Sequence, residues 1–175
     1  MNWVVPAEVY HIWTDFSLEI DSELVFAIGK CYHLTGQNGA GKSSFIKKVL
    51  IPQLLKQQSL QFILYLEQQV QSQLDAVKAN AALQKPAMHI NTIDEMFDYQ
   101  LKQLSRQLAA EPRPVIIILD ETILSDLINQ WLNKVSVEQA CLIYISHQDF
   151  DFPSFKEVIK INLKPVSVSL SRIEV

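Results

Sequence analysis

The feature that most constrains this chain is one glycine-rich segment, Gly36-Gln37-Asn38-Gly39-Ala40-Gly41-Lys42-Ser43-Ser44. The chain has 4 glycines, and all but one of them lie in this segment. The spacing matches G-x-x-x-x-G-K-[ST], the pattern called the P-loop or Walker A motif. Glycines let the backbone adopt positive φ and approach a ligand closely, so that successive N–H groups point at phosphate oxygens. The segment therefore predicts a phosphate-binding loop.

The residues on either side supply the strand and the helix that such a loop needs. Residues 31–35 form an apolar run typical of a short strand, and residues 44–50 repeat apolar side chains at helical spacing. The amino end of the helix would add positive partial charge facing the phosphates. Lys42 would then reach the β- and γ-phosphates, and the Ser43 hydroxyl would ligate Mg²⁺. The alternative is a glycine-rich turn that binds nothing.

The rest of the chain alternates apolar strands with helical segments, and Pro52 is expected to end or kink the first helix. This alternation predicts an α/β fold with a mainly parallel central sheet flanked by helices. A small antiparallel portion is expected at the N-terminus, and a short helical subdomain over about residues 67–112. Strands are predicted at 9–13, 16–20, 24–28, 31–35, 61–66, 115–121, 141–145, 158–163 and 166–170. Further helices are predicted at 67–85, 92–110 and 125–134, the second of them starting with a capping box formed by Thr92 and Glu95.

Polar side chains follow these strands, at the sheet edge where ligands bind in open α/β folds. Asp120 would hold Mg²⁺ opposite Ser43, and the adjacent Glu121 would polarise the water that attacks a phosphate. His147 closely follows the next apolar strand and would contact the γ-phosphate or the water. Gln68 follows the strand over 61–66, and its amide would contact Mg²⁺ or the water. The alternatives are a solvated acidic turn, an exposed histidine and a generally glutamine-rich segment.

This order of parts resembles the nucleotide-binding domain of ABC ATPases, over about residues 16–165. The resemblance implies a single P-loop ATPase domain over 1–175 that binds ATP with Mg²⁺ and hydrolyses it. It also implies an energy-coupling subunit of a larger assembly such as a transporter, working as a homo- or heterodimer with a membrane-protein partner. The parts that carry it are Walker A at 36–44, the Q-loop entry at 64–68, Walker B at 115–120, the catalytic glutamate Glu121, a shortened D-loop at 123–126 and the switch-histidine loop at 145–147.

One part of the ABC pattern is missing. The family carries a glycine-containing signature of the LSGGQ type, which caps the γ-phosphate bound by the opposite subunit. No glycine follows Gly41, and the corresponding place, residues 94–98, is acidic and bulky. This departure keeps open a nucleotide-dependent protein-binding switch with little hydrolysis. The family also stacks adenine on an aromatic ring ahead of Walker A, for which Tyr10 and Trp13 are the candidates.

A third reading is a P-loop kinase of small molecules, a class that generally uses a lid of basic residues. The arginines of this chain are scattered, at positions 106, 113 and 172. The net charge of −4 gives no support for broad electrostatic binding of nucleic acid. No apolar run has the length of a membrane span, and no signal peptide is visible. We therefore expect a cytoplasmic protein that reaches a membrane only through a partner, with Cys31 and Cys141 as buried, reduced thiols.

Overall fold

The computed structural model of the chain describes residues 1–57, 61–67, 70–82, 89–121, 125–133 and 137–175. Within these residues the strands are β1 (Asn2–Val5), β2 (Val9–Trp13), β3 (Phe16–Ile20), β4 (Leu24–Ala27), β5 (Cys31–Gly36), β6 (Phe62–Leu66), β7 (Val115–Asp120), β8 (Ala140–Ile145), β9 (Val158–Ser167) and β10 (Leu170–Glu174). The helices are α1 (Lys42–Ser44), α2 (Ile51–Lys56), α3 (Val70–Ala82), α4 (Ile93–Ala110) and α5 (Ser125–Leu132). A π-helical segment (Phe45–Leu50) joins α1 to α2, and a 3₁₀ turn spans Val137–Gln139.

Eight of these strands form one sheet, in the order β2-β3-β10-β9-β5-β8-β7-β6. The strands are parallel from β9 through β5, β8 and β7 to β6, and also between β3 and β10. The pairs β2–β3 and β9–β10 are antiparallel, and β1 with β4 forms a separate two-stranded antiparallel sheet. The predicted α/β fold, with a mainly parallel sheet, flanking helices and a small antiparallel portion, is confirmed.

The middle of the large sheet positions the site. Strands β7 and β8 are buried along their whole length, as expected for parallel strands covered on both faces. In the register, Ile145 of β8 lies opposite both Leu34 of β5 and Asp120 of β7. Because these neighbours are parallel, their carboxyl ends meet at one edge of the sheet. The glycine-rich loop, Asp120 and the residues after Ile145 therefore converge at that edge.

Hydrophobic clusters cover the two faces of the sheet. One contains the apolar side chains of the helix after the loop, together with those of β1 and β4, and the other contains those of α3 and α4. Cys31 belongs to one cluster and Cys141 to the other, so the two thiols point to opposite faces. Both are buried and free, as predicted, and burial raises the pKa of the Cys31 thiol to about 12. None of the helices in the described residues is long and apolar enough to cross a membrane.

Two predicted elements differ in the structure for local reasons. The helix does not end at Pro52, because α2 continues to Lys56. A proline has no N–H for the preceding turn, and here that turn is π-helical, with the N–H of Ile51 donated to the carbonyl of Ile46. The predicted strand at 166–170 is interrupted: residues 166 and 167 end β9, residues 168 and 169 form the turn, and residue 170 begins β10. There the N–H of Ser169 donates to the Ser167 hydroxyl, a local bond that competes with extended pairing.

Two further differences arise from tertiary pairing. Strand β1 was not predicted, because Asn2–Val5 acquires its partner only when β4 lies alongside it. The apolar run of β6 is typical of a buried parallel strand, yet β6 is the edge strand of the sheet and most of its side chains are half buried. An apolar run shows that a segment is covered, but it does not show which place in the sheet order the segment takes.

Candidate functional site

The glycine-rich loop connects β5 to α1 and is shaped by close packing. Gly41 lies directly before α1 with φ of +90°, in the left-handed region that favours glycine. A Cβ atom added to Gly41 would lie 2.8 Å from Cζ of Phe16, so the Phe16 ring of β3 packs directly against the loop. Ala40 is fully buried in the core. The loop is therefore anchored on one side and exposes its backbone on the other.

Gly36 offers a test of how tightly this loop is built into the sheet. Its φ is +143°, and an added Cβ would lie 2.5 Å from the carbonyl oxygen of Leu163 in β9. We expect Gly36→Ala to lower the free energy of unfolding by about 3 kcal/mol, from overpacking and backbone strain together. Urea unfolding measures the change, as a lower midpoint at an unchanged slope.

The matched control is Gly39→Ala in the same loop. Gly39 has φ of +80°, but an added Cβ would meet no atom within 4 Å. Only the backbone strain remains, and we expect a loss of about 1 kcal/mol. Equal losses at Gly36 and Gly39 would contradict the close contact with Leu163.

Lys42 turns back onto its own loop. The side chain is 6% exposed, and its Nζ donates hydrogen bonds to the carbonyl oxygens of Gly36 at 2.9 Å and of Gln37 at 3.1 Å. A buried ammonium needs such acceptors, since an unpaired charge is expensive to remove from water. These carbonyls hold the ammonium beside the loop.

Ser43 and Asp120 are in direct contact. The Ser43 hydroxyl donates to Oδ1 of Asp120 at 3.0 Å, and the hydroxyl of Tyr65 donates to Oδ2 at 2.9 Å. Asp120 is 1% exposed, and burial raises the pKa of its carboxyl. The hydrogen bonds from Tyr65 and Ser43, with the charge of Lys47 nearby, act in the opposite direction. The last residue of β7 is thereby joined to the first turn after the loop.

Glu121 and His147 face each other across the edge of the sheet. Glu121 has φ of +51°, an uncommon value for a residue other than glycine, and its N–H donates to the carbonyl of Ile145 at 3.1 Å. This bond holds the end of β7 against the end of β8. Nε2 of His147 lies 3.7 Å from Oε1 of Glu121, with the histidine side chain 53% exposed. Strained backbone of this kind often accompanies function.

A cleft of about 520 Å³ brings most of the predicted site residues together. Three of the predicted loop residues do not line it: Gly36 and Gln37 offer their carbonyls to Lys42, and Ala40 points into the core. Gln68 and the first two residues of the predicted D-loop, 123 and 124, lie outside the residues that the structure describes, whereas residues 125 and 126 begin α5. The residues lining the cleft are Asn38, Gly39, Gly41, Lys42, Ser43, Ser44, Glu121 and His147.

Ser43, which lines this cleft, and Asp120, which is buried behind it and hydrogen-bonded to Ser43, offer oxygens that suit a small hard cation. Mg²⁺ takes few protein ligands and completes its shell with phosphate oxygens and water. One hydroxyl, from Ser43, and one carboxylate, from Asp120, meet that requirement. The described residues contain no group of three or more histidine, cysteine, aspartate and glutamate side chains that would hold a metal by themselves. The donor set therefore fits a cation that arrives with a phosphate ligand.

Sequence reasoning missed two residues that shape the cleft. Tyr65 reaches Asp120 from β6, as described above. His33 of β5 is buried, with Nε2 2.9 Å from the carbonyl oxygen of Ser146 and Nδ1 3.1 Å from Oδ1 of Asp149. It thereby ties the loop that carries His147 to the strand that precedes the glycine-rich loop. A polar ring inside an otherwise apolar strand was the available signal in both cases.

The two candidates for stacking adenine have different surroundings. Tyr10 is half buried, and its hydroxyl donates to the carbonyl of Pro6 at 3.1 Å. Trp13 is 55% exposed, lies opposite Phe16 in the β2–β3 pair, and has Nζ of Lys48 at 4.9 Å from its ring centroid. Of the two rings, Trp13 is the one that is open to solvent beside the loop.

Neither a protein-family profile nor a curated protein matches this chain. Among solved structures, it is similar to MJ1267 in its ADP conformation, an ATP-binding cassette of an ABC transporter, with a TM-score of 0.48 and 14% identity. That match covers 98% of this chain and 89% of MJ1267. It is also similar to C. elegans PCH-2, with a TM-score of 0.41 and 14% identity over 75% of this chain. The chain spans only 34% of the length of PCH-2.

Proposed function

We propose that this protein binds Mg²⁺-ATP in the cleft above residues 36–44 and hydrolyses it. The observation that carries the proposal is the composition of the cleft walls. A glycine-rich loop and Lys42 form one wall, and Glu121 with His147 forms the other. The first wall suits a polyphosphate, and the second offers a carboxylate and an imidazole to a water molecule. A site that only binds phosphate does not require a carboxylate and an imidazole opposite the glycine-rich loop.

In this proposal each residue has a distinct task. Lys42 exchanges the carbonyls of its own loop for the β- and γ-phosphates, while the loop amides of residues 38–44 bind phosphate oxygens. Ser43 and Asp120 hold Mg²⁺, which neutralises phosphate charge when bound. Glu121 accepts a proton from the attacking water, and His147, close to it, orients the water or the γ-phosphate. Gln68 is proposed as a further contact to the metal or the water.

We also propose that Trp13 stacks on the adenine. Its ring is exposed, and a base that packs on one face gains stacking energy of about 1–3 kcal/mol per base. Tyr10 is less suited, because its hydroxyl is bonded and its ring packs on the core.

The proposed role is that of an energy-coupling subunit in a larger assembly, such as a transporter, with a second ATPase subunit and a membrane-protein partner. The 175 residues would act as one P-loop domain in which about 67–112 form a reduced helical subdomain. A kinase of small molecules is less well supported, because the arginines of this chain are scattered.

The start of α4 favours a second candidate, a nucleotide-dependent switch with little hydrolysis. Here the carboxylate of Glu95 accepts from the N–H groups of Asn91 at 2.7 Å and Thr92 at 3.3 Å, and the Thr92 hydroxyl accepts from the N–H of Glu95 at 3.2 Å. This capping box, as predicted from the sequence, occupies amides that a partner's γ-phosphate would need. Asp98, one turn later, pairs with Lys102.

Hydrolysis by the purified full chain separates the two candidates. We expect nucleotide binding in either case, and a steady release of phosphate from ATP that requires Mg²⁺ if the first holds. Phosphate release equal to that of a protein-free control, together with measurable ATP affinity, would favour the switch. Absence of nucleotide binding under both metal-free and Mg²⁺ conditions would overturn both candidates.

A further inference from the structure

The Asp120 carboxylate is held from two sides by hydroxyl groups of different elements. Ser43 of α1 donates to Oδ1 at 3.0 Å, and Tyr65 of β6 donates to Oδ2 at 2.9 Å. With one hydroxyl on each oxygen, the plane of this buried carboxylate is fixed. The Ser43 oxygen is itself a proposed metal ligand, whereas the Tyr65 hydroxyl is not. The Tyr65 hydroxyl can therefore still orient the Asp120 carboxylate when the Ser43 hydroxyl binds a cation.

The end of β6, which carries Tyr65, is in turn held by contacts with α3 and with the helix after the loop. The carbonyl of Tyr65 accepts from Nε2 of Gln73 at 2.8 Å, and Oε1 of Gln73 accepts from the N–H of Glu67 at 3.2 Å. Nζ of Lys47 lies 5.7 Å from the centroid of the Tyr65 ring and 2.9 Å from Oε2 of Glu67. These contacts clamp the end of β6 to both α3 and the helix after the loop. The strand end that carries Tyr65 is thus fixed by several contacts, and its phenol can orient the carboxylate that it bonds.

We propose that Tyr65 is a positioning residue that sets the orientation of Asp120 for the divalent cation bound with the nucleotide. This inference rests on the proposed function, because it concerns the cation of the same cleft. With Oδ2 occupied by Tyr65, the carboxylate presents Oδ1, the oxygen next to Ser43, toward the metal position. Loss of the phenolic hydroxyl removes this donor from Oδ2 and lets the carboxylate adopt a wider range of orientations. We then expect a lower affinity for the metal ion and an unchanged contribution from the contacts of the loop with phosphate.

The test is Tyr65→Phe, which removes one oxygen from a half-buried ring. The affinity of the full chain for a fluorescent, non-hydrolysable ATP analogue is measured twice, in EDTA and in saturating Mg²⁺. We expect the variant to match the wild type in EDTA and to bind about tenfold more weakly in Mg²⁺, as one lost hydrogen bond to a charged group predicts. The readout is the ratio of the two affinities and needs no turnover.

Tyr32→Phe is the matched control, because among the described residues the Tyr32 hydroxyl bonds only backbone groups. From β5 it accepts from the N–H of Ala27 at 2.9 Å and donates to the carbonyl of Val25 at 3.0 Å, both in β4. We expect this variant to lose stability while keeping the wild-type ratio of affinities. A phenol that serves the fold alone would behave in the same way at position 65.

The possible outcomes distinguish a failure of the positioning role of Tyr65 from a failure of the proposed function. If Tyr65→Phe loses stability but keeps the wild-type ratio, the positioning role is overturned and the proposed function stands. If it loses the same factor of affinity in EDTA and in Mg²⁺, the hydroxyl shapes the whole cleft and the positioning role is again overturned. If the wild type gains no affinity from Mg²⁺, the proposed function fails, and the inference fails with it.

Discussion

Glu121→Gln is expected to lower the rate constant for ATP hydrolysis by about 100-fold or more, while nucleotide affinity stays within about twofold of the wild type. Glutamine has the shape of glutamate but cannot accept a proton from water at neutral pH. The main-chain bond from the N–H of residue 121 to the carbonyl of Ile145 does not involve the side chain, so the end of β7 stays in place. Steady-state turnover and equilibrium binding, measured on the same preparation, separate the two effects.

Glu67→Gln is the matched control for the loss of one negative charge near the cleft. Glu67 pairs with Lys47 at 2.9 Å and does not line the cleft. We expect its turnover to stay within about threefold of the wild type, because a partly exposed ion pair contributes little. Equal turnover of Glu121→Gln and wild type would exclude Glu121 as the group that activates water, and would leave His147 as the remaining side chain on that wall.

The loop and the two strand ends could be predicted because each depends on a local rule. The glycine spacing predicted a phosphate-binding loop between a strand and a helix, and strands of unbroken apolar residues predicted buried parallel neighbours. Since the carboxyl ends of parallel strands share one edge, Asp120, Glu121 and His147 could be expected near the loop. The structure brings all three there, with Asp120 on Ser43 and His147 3.7 Å from Glu121.

The contacts of Tyr65 and His33 could not be predicted, because they depend on the order of the strands. Tyr65 reaches Asp120 since β6 lies beside β7, and His33 reaches Ser146 since β5 lies beside β8. Periodicity gives the faces of a strand but not its neighbours. The left-handed backbone at Glu121 is also invisible in the sequence, because it follows from the bond between residue 121 and β8.

At the start of α4, the sequence predicted two features but not the relation between them. The sequence predicted the capping box at Thr92 and the missing glycine signature at residues 94–98 as separate observations. In the structure the two observations meet at one residue, because Glu95, inside the segment where the resemblance would place the signature, is the residue whose carboxylate caps the start of α4. A cap of this kind stabilises the helix by about 1 kcal/mol and removes amides from any anion-binding role. The same residues therefore argue for a stable helix and against an ordinary signature.

Lys42→Met is expected to weaken nucleotide binding by about 100-fold, at the upper range for a hydrogen-bonded contact to a charged group. At a nucleotide concentration about 100 times the wild-type dissociation constant, ATP should stabilise the wild type by about 2.7 kcal/mol. The variant should then gain only about 0.4 kcal/mol, because its dissociation constant equals that concentration. Urea unfolding with and without nucleotide measures both values.

The unliganded form should tolerate this change. Methionine matches the length of the buried lysine stem. The variant loses two hydrogen bonds to loop carbonyls, but it also avoids the unfavourable burial of an ammonium, and the two effects oppose each other. We therefore expect its free energy of unfolding without nucleotide to stay within about 1 kcal/mol of the wild type. Lys56→Met, at an exposed position of α2, is the control and should keep the full stabilisation by ATP. If Lys42→Met keeps it as well, the ammonium does not leave the carbonyls of Gly36 and Gln37 for a phosphate, and the assigned role of the loop fails.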